Sequence, residues 1–230
     1  MSQIIDEKVQ VQVRDVLKEM QHPVALILFT SPEACEYCED TRQLLEEITP
    51  LSEKVRLFVY DLREHSALAE QYHVNKAPTI VIAGLEGEEI RDYGVRYAGI
   101  PAGHEFTTLI NDLVMVASRD SGLSAETRQF LAGLDQPVFL EVFVTPTCPH
   151  CPRAVIVAHK MALESAFVQA EGVEATEFPE LADKYGVSGV PHTAINLGAA
   201  EMIGAGSESY LLAEIKKALK VPPIVTEKHG

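Results

Sequence analysis

The chain has 230 residues, 47% of them hydrophobic and 23% charged, the balance of a folded globular protein with one large domain or two small ones. Its formal net charge of −15 speaks against nucleic acid or an anionic membrane as a partner, because both recruit basic surfaces. The N-terminus has no basic head followed by an apolar run, and no segment reaches the roughly 18 uninterrupted apolar residues of a membrane span, so a cytoplasmic protein is expected.

From Ile4 to Met20 the apolar residues Ile5, Val9, Val13, Val16, Leu17 and Met20 recur at three-to-four spacing, which predicts an amphipathic helix ending before Pro23. Residues 24–29 are almost entirely apolar and read as a strand buried on both faces. A helix is expected over 35–48, a strand over 55–60 and a short helix over 66–72. Strands at 79–83 and 90–93 flank a turn at Glu86-Gly87, and a helix over 106–116 closes the unit. The polar stretch at 118–122 has no apolar period and reads as a linker, which divides the chain into units 1–118 and 119–230. The pattern then restarts, with a helix over 127–134, a strand over 138–144, a helix over 151–169, a strand over 173–178 and a short helix over 181–185. Strands at 193–196 and 202–203 and a helix over 210–219 complete it. The fold class is α/β, in two tandem copies, each with a central mixed sheet flanked by helices.

The repeat shows in the spacing. Cys35 and Pro78 are 43 residues apart, and so are Cys148 and Pro191. In that frame Tyr72, Val74 and Pro78 coincide with Tyr185, Val187 and Pro191 at an offset of 113, while Pro23 matches Pro137 at 114. All four cysteines fall in two C-x-x-C pairs, Cys35/Cys38 and Cys148/Cys151. This is not the scattered framework of a secreted disulfide scaffold.

A cysteine pair at a strand-to-helix junction suits reversible dithiol chemistry. Free N–H groups and the helix dipole stabilise a thiolate, and a second sulfur three residues on is within bonding reach. Cys35 and Cys148 are therefore expected to be the nucleophiles, and Cys38 and Cys151 the resolving thiols. Two C-x-x-C pairs also suit a zinc site, but such a site needs both pairs at one metal. A separation of 113 residues, in equivalent places of two copies, argues against that.

The arrangement resembles the thioredoxin superfamily, and more closely the glutaredoxin-like protein disulfide oxidoreductases of thermophiles. The residues that carry the resemblance are Cys35-Glu36-Tyr37-Cys38, Thr145-Pro146-Thr147 before Cys148-Pro149-His150-Cys151, and residues 96–106 from Arg96 to Phe106. It implies a protein disulfide oxidoreductase that reduces, forms and shuffles protein disulfides without a metal or organic cofactor. A flavoprotein of the thioredoxin reductase type would supply electrons. It also implies cis-prolines at Pro78 and Pro191, with Ala77 and Val190 presenting backbone groups to bound substrate. Two readings from other classes stand beside it, a dedicated electron relay for a peroxidase partner and a redox-sensing or zinc-binding structural protein.

This sequence departs from thioredoxin in having no tryptophan and no buried acid on the first strand. Glu141 lies close to the acid's position in the second unit but one residue out of phase, so a solvated or packing-edge carboxylate is expected. Glu36 beside Cys35 and His150 beside Cys151 are expected to tune the two centres in opposite senses. His192 is expected at a groove edge, where it could face the sulfurs, and Tyr37 along the groove or half exposed. His65, His73, His104 and His159 are expected to be surface or capping residues.

Overall fold

The computed structural model describes residues 3–33 and 35–221. Its elements in chain order are α1 (Glu7–Leu17), β1 (Val24–Thr30), α2 (Cys38–Ile48), β2 (Val55–Asp61), α3 (Ser66–Gln71), β3 (Thr79–Glu86), β4 (Glu89–Ala98) and α4 (Glu105–Ser118), followed by α5 (Ala125–Ala132), β5 (Val138–Val144), α6 (Cys151–Glu164), β6 (Val168–Glu174), α7 (Pro179–Lys184), β7 (His192–Ile195), β8 (Ala200–Ile203) and α8 (Glu208–Ala218).

The eight strands form one continuous sheet in the order β2-β1-β3-β4-β6-β5-β7-β8. Each half of the chain supplies four neighbouring strands, and in each the strand that leads to the cysteines runs parallel to one neighbour and antiparallel to the other. The halves meet where β4 pairs in parallel with β6, Val95 opposite Ala170 through Ala98 opposite Val173.

The two faces of the sheet are covered unequally. Strand alternation sends Leu26, Leu28, Ile80, Tyr97, Leu140 and Val142 to one side, where α1, α2, α4, α5, α6 and α8 share a single core. Among the described residues, the other face carries only α3, over Ala25, Ile27 and Phe29, and α7, over Phe143 and Ala194. One hydrophobic core therefore runs beneath both redox centres.

Several boundaries differ from those expected. The first helix starts at Glu7, because the Asp6 side chain accepts from Val9 N and caps it there. The helix expected over 35–48 starts three residues later, at Cys38. The helix expected over 151–169 stops at Glu164, where Ser165 turns extended, and the strand expected at 173–178 occupies Val168–Glu174. Gly172, which falls inside that strand, lies directly across from Tyr97, and a Cβ there would come within 2.8 Å of the ring. The strand expected over 90–93 runs on to Ala98, because its second half is the seam between the two halves. At 118–122, Arg119 takes the left-handed conformation that ends α4, and Ser121 is buried and bonded to Glu164.

Candidate active site

Both cysteine pairs are closed as disulfides, each with Cα atoms 5.5 Å apart. In each, the second cysteine is the first residue of a helix and the first cysteine precedes it by three residues. The N-cap residues, Tyr37 and His150, make no side-chain cap bond, so the first-turn N–H groups and the positive end of the dipole are left to the sulfurs. Ser31 N also donates to Cys38 Sγ at 3.3 Å. Cys35 is half-buried, whereas Cys148 is 8% exposed and Cys151 fully buried.

Sheet register brings the prolines to the cysteines. Thr79, after Pro78, pairs with Phe29 at the end of β1, and His192, after Pro191, pairs with Phe143 near the end of β5. The Ala77–Pro78 and Val190–Pro191 bonds are both cis. Val190 packs against the core cluster that contains Cys148 and Cys151.

The two helix starts differ in charge. The first turn of α2 carries Glu39 and Asp40, while that of α6 has no acid and holds Pro152. Glu36, burial, Glu177 and Glu174 together push the Tyr37 phenol above its ordinary value. The first centre therefore faces carboxylates at and beyond the end of β6 in the other half. Glu177 accepts from Ile100 N at 2.7 Å, and burial, with Glu174 and Glu36, raises its carboxyl to about 7. The reverse contact exists at the second centre, where Pro146 O accepts from His104 N at 2.9 Å and packs against Gly103.

Sequence reasoning missed Glu105, the first residue of α4. It is fully buried, accepts from Thr108 Oγ1 at 2.7 Å, and burial raises its carboxyl to about 7. Its signal along the chain is weak, because an acid in the first turn of a helix is the ordinary place for a solvated carboxylate.

Two histidines require correction. His159 is fully buried, with Nδ1 2.8 Å from Asp112 Oδ2 and Nε2 2.9 Å from Arg96 O. Its spacing from Val155 and Ala162 puts it on the apolar face of α6, which could have flagged it. His192 is buried rather than at a groove edge. It shares the β7 face of Ala194, meets Phe143 edge-on, and has Nε2 3.2 Å from Glu201 Oε2. That is the sheet face opposite the cysteine-bearing helix.

Three further histidines lie where they were expected. His65, His73 and His104 are exposed, with His65 and His104 at helix N-caps. Tyr37 is half-buried, and Glu36 and His150 are exposed. Glu141 is half-buried on the face opposite the second centre. Burial raises its carboxyl, and Tyr185, the strongest opposing influence, lowers it.

A protein disulfide oxidoreductase from Aeropyrum pernix is similar to this chain with a TM-score of 0.85 and 34% identity, over 96% of this chain and 97% of that one. The N-terminal domain of the alkylhydroperoxide reductase AhpF from Enterococcus faecalis matches with a TM-score of 0.83 and 25% identity, over 92% of this chain and 99% of that one. Residues 139–220 match the thioredoxin domain family Thioredoxin_3. The thioredoxin of Methanocaldococcus jannaschii is 41% identical over 83 residues, 36% of this chain and 96% of that protein. The corresponding alkyl hydroperoxide reductase protein of Pseudomonas aeruginosa is 23% identical over 205 residues, 88% of this chain but 35% of that protein. The chain thus spans about a third of the length of such relatives.

Fold and site together define a thioredoxin-like disulfide oxidoreductase with two C-x-x-C dithiol sites. The chain belongs to the protein disulfide oxidoreductase family and is built from thioredoxin-like folds.

Proposed function

We propose that this protein reduces, forms and isomerises disulfides of protein substrates through two catalytic pairs, Cys35/Cys38 and Cys148/Cys151, one in each of units 1–118 and 119–230. The observation that carries this reading is that both pairs are intact, each closed at an uncapped helix start beside a cis-proline. The thiolate of Cys35 or Cys148 attacks a partner disulfide, forming a mixed disulfide and releasing one partner thiolate. Cys38 or Cys151 then displaces the other, leaving its own pair oxidised. Run backwards, the same steps oxidise a dithiol. Backbone groups of Ala77 with Pro78, and of Val190 with Pro191, hold the substrate strand. Electrons return from a flavoprotein of the thioredoxin reductase type, and the setting is the cytoplasm of a thermophile. No described helix is long and apolar enough to cross a membrane.

A second reading, service to a peroxidase partner, is favoured by the matches to the alkyl hydroperoxide reductase proteins over 88% of the chain. Turnover of insulin with dithiothreitol tests the general reading. Insulin precipitation well above the uncatalysed rate is expected, and its absence, with a peroxidase disulfide still reduced, favours the relay. Metal analysis of the reduced protein is expected to find less than one zinc per chain.

A further inference from the structure

The two redox centres stand at the same end of one sheet. β1 is antiparallel to β3 and β3 to β4, while β4, β6 and β5 are parallel, so β1 and β5, which lead to the centres, point the same way. Their registers meet in a single row, with Phe29 opposite Thr79, Thr79 opposite Ala98, Ala98 opposite Val173 and Val173 opposite Phe143. β1 ends one residue after Phe29 and β5 one residue after Phe143, and α2 and α6 cover the same face. The centres are four strand positions apart, about 19 Å across a flat sheet and on the order of 25 Å once twist splays the strand ends.

The prolines repeat this relationship. Pro78 leads into β3 and Pro191 into β7, and each of these strands is antiparallel to the neighbour that leads to the cysteines. A substrate backbone that pairs with Ala77 in one N-to-C direction therefore pairs with Val190 in the same direction. Twist of about 20° per strand turns one groove against the other by about 80°. The grooves are thus related head to tail, whereas a two-fold axis would have required the substrate to reverse.

Loop 99–104 runs between the centres and is tied at both ends. Gly99 N donates to Pro78 O at 2.9 Å, and His104 N donates to Pro146 O at 2.9 Å. Ile100, Ala102 and Pro146 are half-buried and apolar, and Gly103 and His104 are exposed. A polypeptide leaving one cis-proline meets a fixed, mostly uncharged path toward the other.

We propose that both centres act on one substrate polypeptide at once, a chain with two cysteines at least about eight residues apart, extended across this end of the sheet. The inference deepens the dithiol reading and rests on it. With one pair reduced and the other oxidised, the reduced pair transfers two electrons to a non-native disulfide of the substrate. That S–S bond breaks, its sulfurs take the two protons that the pair gives up, and the pair closes. The oxidised pair takes two electrons from a dithiol elsewhere on the same substrate, whose S–S bond forms as its two protons pass to the opened pair. The substrate is isomerised with no net change in electrons or protons, and the two pairs have exchanged states. A substrate held at one centre offers its second cysteine to the other at an effective concentration on the order of millimolar.

The test uses full-length Cys38→Ser/Cys151→Ser protein, in which Cys35 and Cys148 can each hold a mixed disulfide. Synthetic peptides carry one or two cysteines, each activated as a disulfide of 5-thio-2-nitrobenzoate. Each attack by a protein thiolate releases one coloured anion and leaves the peptide sulfur bonded to the protein. At about 1 µM protein, a two-cysteine peptide with a ten-residue spacer should join Cys35 and Cys148 of one molecule, its second release at least about tenfold faster than release from a second one-cysteine peptide. Peptide mapping should find a single N-to-C order of the peptide cysteines on Cys35 and Cys148, because only one order crosses without doubling back. A two-residue spacer should form no bridge. Scrambled ribonuclease A without added thiol should be reactivated at least about fivefold faster by wild type than by an equimolar mixture of Cys35→Ser/Cys38→Ser and Cys148→Ser/Cys151→Ser, all poised half-reduced. A second release no faster than the one-cysteine peptide's, both orders in equal amount, a bridge with the two-residue spacer, or equal reactivation by the mixture overturns the proposal, and mixed disulfides at each centre leave the dithiol reading standing. Failure of the one-cysteine peptide to bond to either centre overturns both.

Discussion

Lys76 Nζ lies 2.6 Å from Glu171 Oε2, an ion pair that fastens the loop before Pro78 to β6 of the other half. Both side chains are largely buried, at 18% and 9% exposure. With Ile100–Glu177 and His104–Pro146, it means that each redox centre is braced by residues from the opposite half of the chain.

Removing Lys76 alone should be costly, because Glu171 then faces Glu141, its direct neighbour across the β5–β6 pair, with no cation between them. Lys76→Met is expected to lower stability by about 3 kcal/mol, and Lys76→Met/Glu171→Leu to recover most of that. Urea titration followed by circular dichroism provides the measurement. A double variant no more stable than the single one would show that the ion pair itself, rather than the stranded charge, matters.

Each centre should work only as a pair. Cys38→Ser and Cys151→Ser are expected to trap mixed disulfides through Cys35 and Cys148, since a nucleophile without its resolving thiol can attack but cannot finish. The exposure of the first centre agrees, with Cys35 half-buried and Cys38 buried. Peptide mapping that finds adducts at Cys38 or Cys151 in the reciprocal variants, and none at Cys35 or Cys148, reverses the assignment.

The Cys148/Cys151 centre is expected to be the more oxidising of the two. Glu36, Glu39 and Asp40 surround the first helix start, and Glu177 faces it from the other half. All disfavour a thiolate and so favour the disulfide. The start of α6 has no acid in its first turn, and His150 can donate to sulfur. Each pKa unit corresponds to about 1.4 kcal/mol, or roughly 30 mV for two electrons, so a gap of some tens of millivolts is expected. The second centre is then the better catalyst of disulfide formation and isomerisation. Glutathione titration of single-centre variants decides it, and a Cys35/Cys38 potential equal to or above the other refutes the order.

Glu105 should make stability depend on pH. Its carboxyl is raised by burial from 4.5 to about 7, so between those values the folded state binds a proton that the unfolded state has lost. Stability from this group is therefore full below about pH 4.5 and declines as pH rises toward 7. Glu105→Gln removes the ionisation while keeping an acceptor for Thr108. The variant should match wild type near pH 4.5 and exceed it by about 3 kcal/mol at pH 8. Denaturant midpoints at the two pH values measure this, and a constant difference between the proteins rules it out.

What the sequence determined by itself was local and periodic. The two C-x-x-C pairs, the matched distance from each to its proline, and the alternation of apolar segments led to the tandem α/β architecture, because these signals lie along the chain in register with helix and strand periods. Glu141 could be placed out of phase by counting along β5, for the same reason. Only the tertiary structure decided what depends on the meeting of distant segments. The extension of β4 and the shift of β6 to 168–174 follow from pairing between the two halves, a contact that overrides the helical pattern of the residues before Gly172. The burial of His159 needs α4 to supply Asp112 and β4 to supply a carbonyl. The proximity of Glu177 to Glu36, and of His104 to Pro146, arises where two loops cross the seam of the sheet. No spacing along the chain encodes that crossing, because its energy comes from burying the shared face of one sheet whose two halves the sequence pattern describes one at a time.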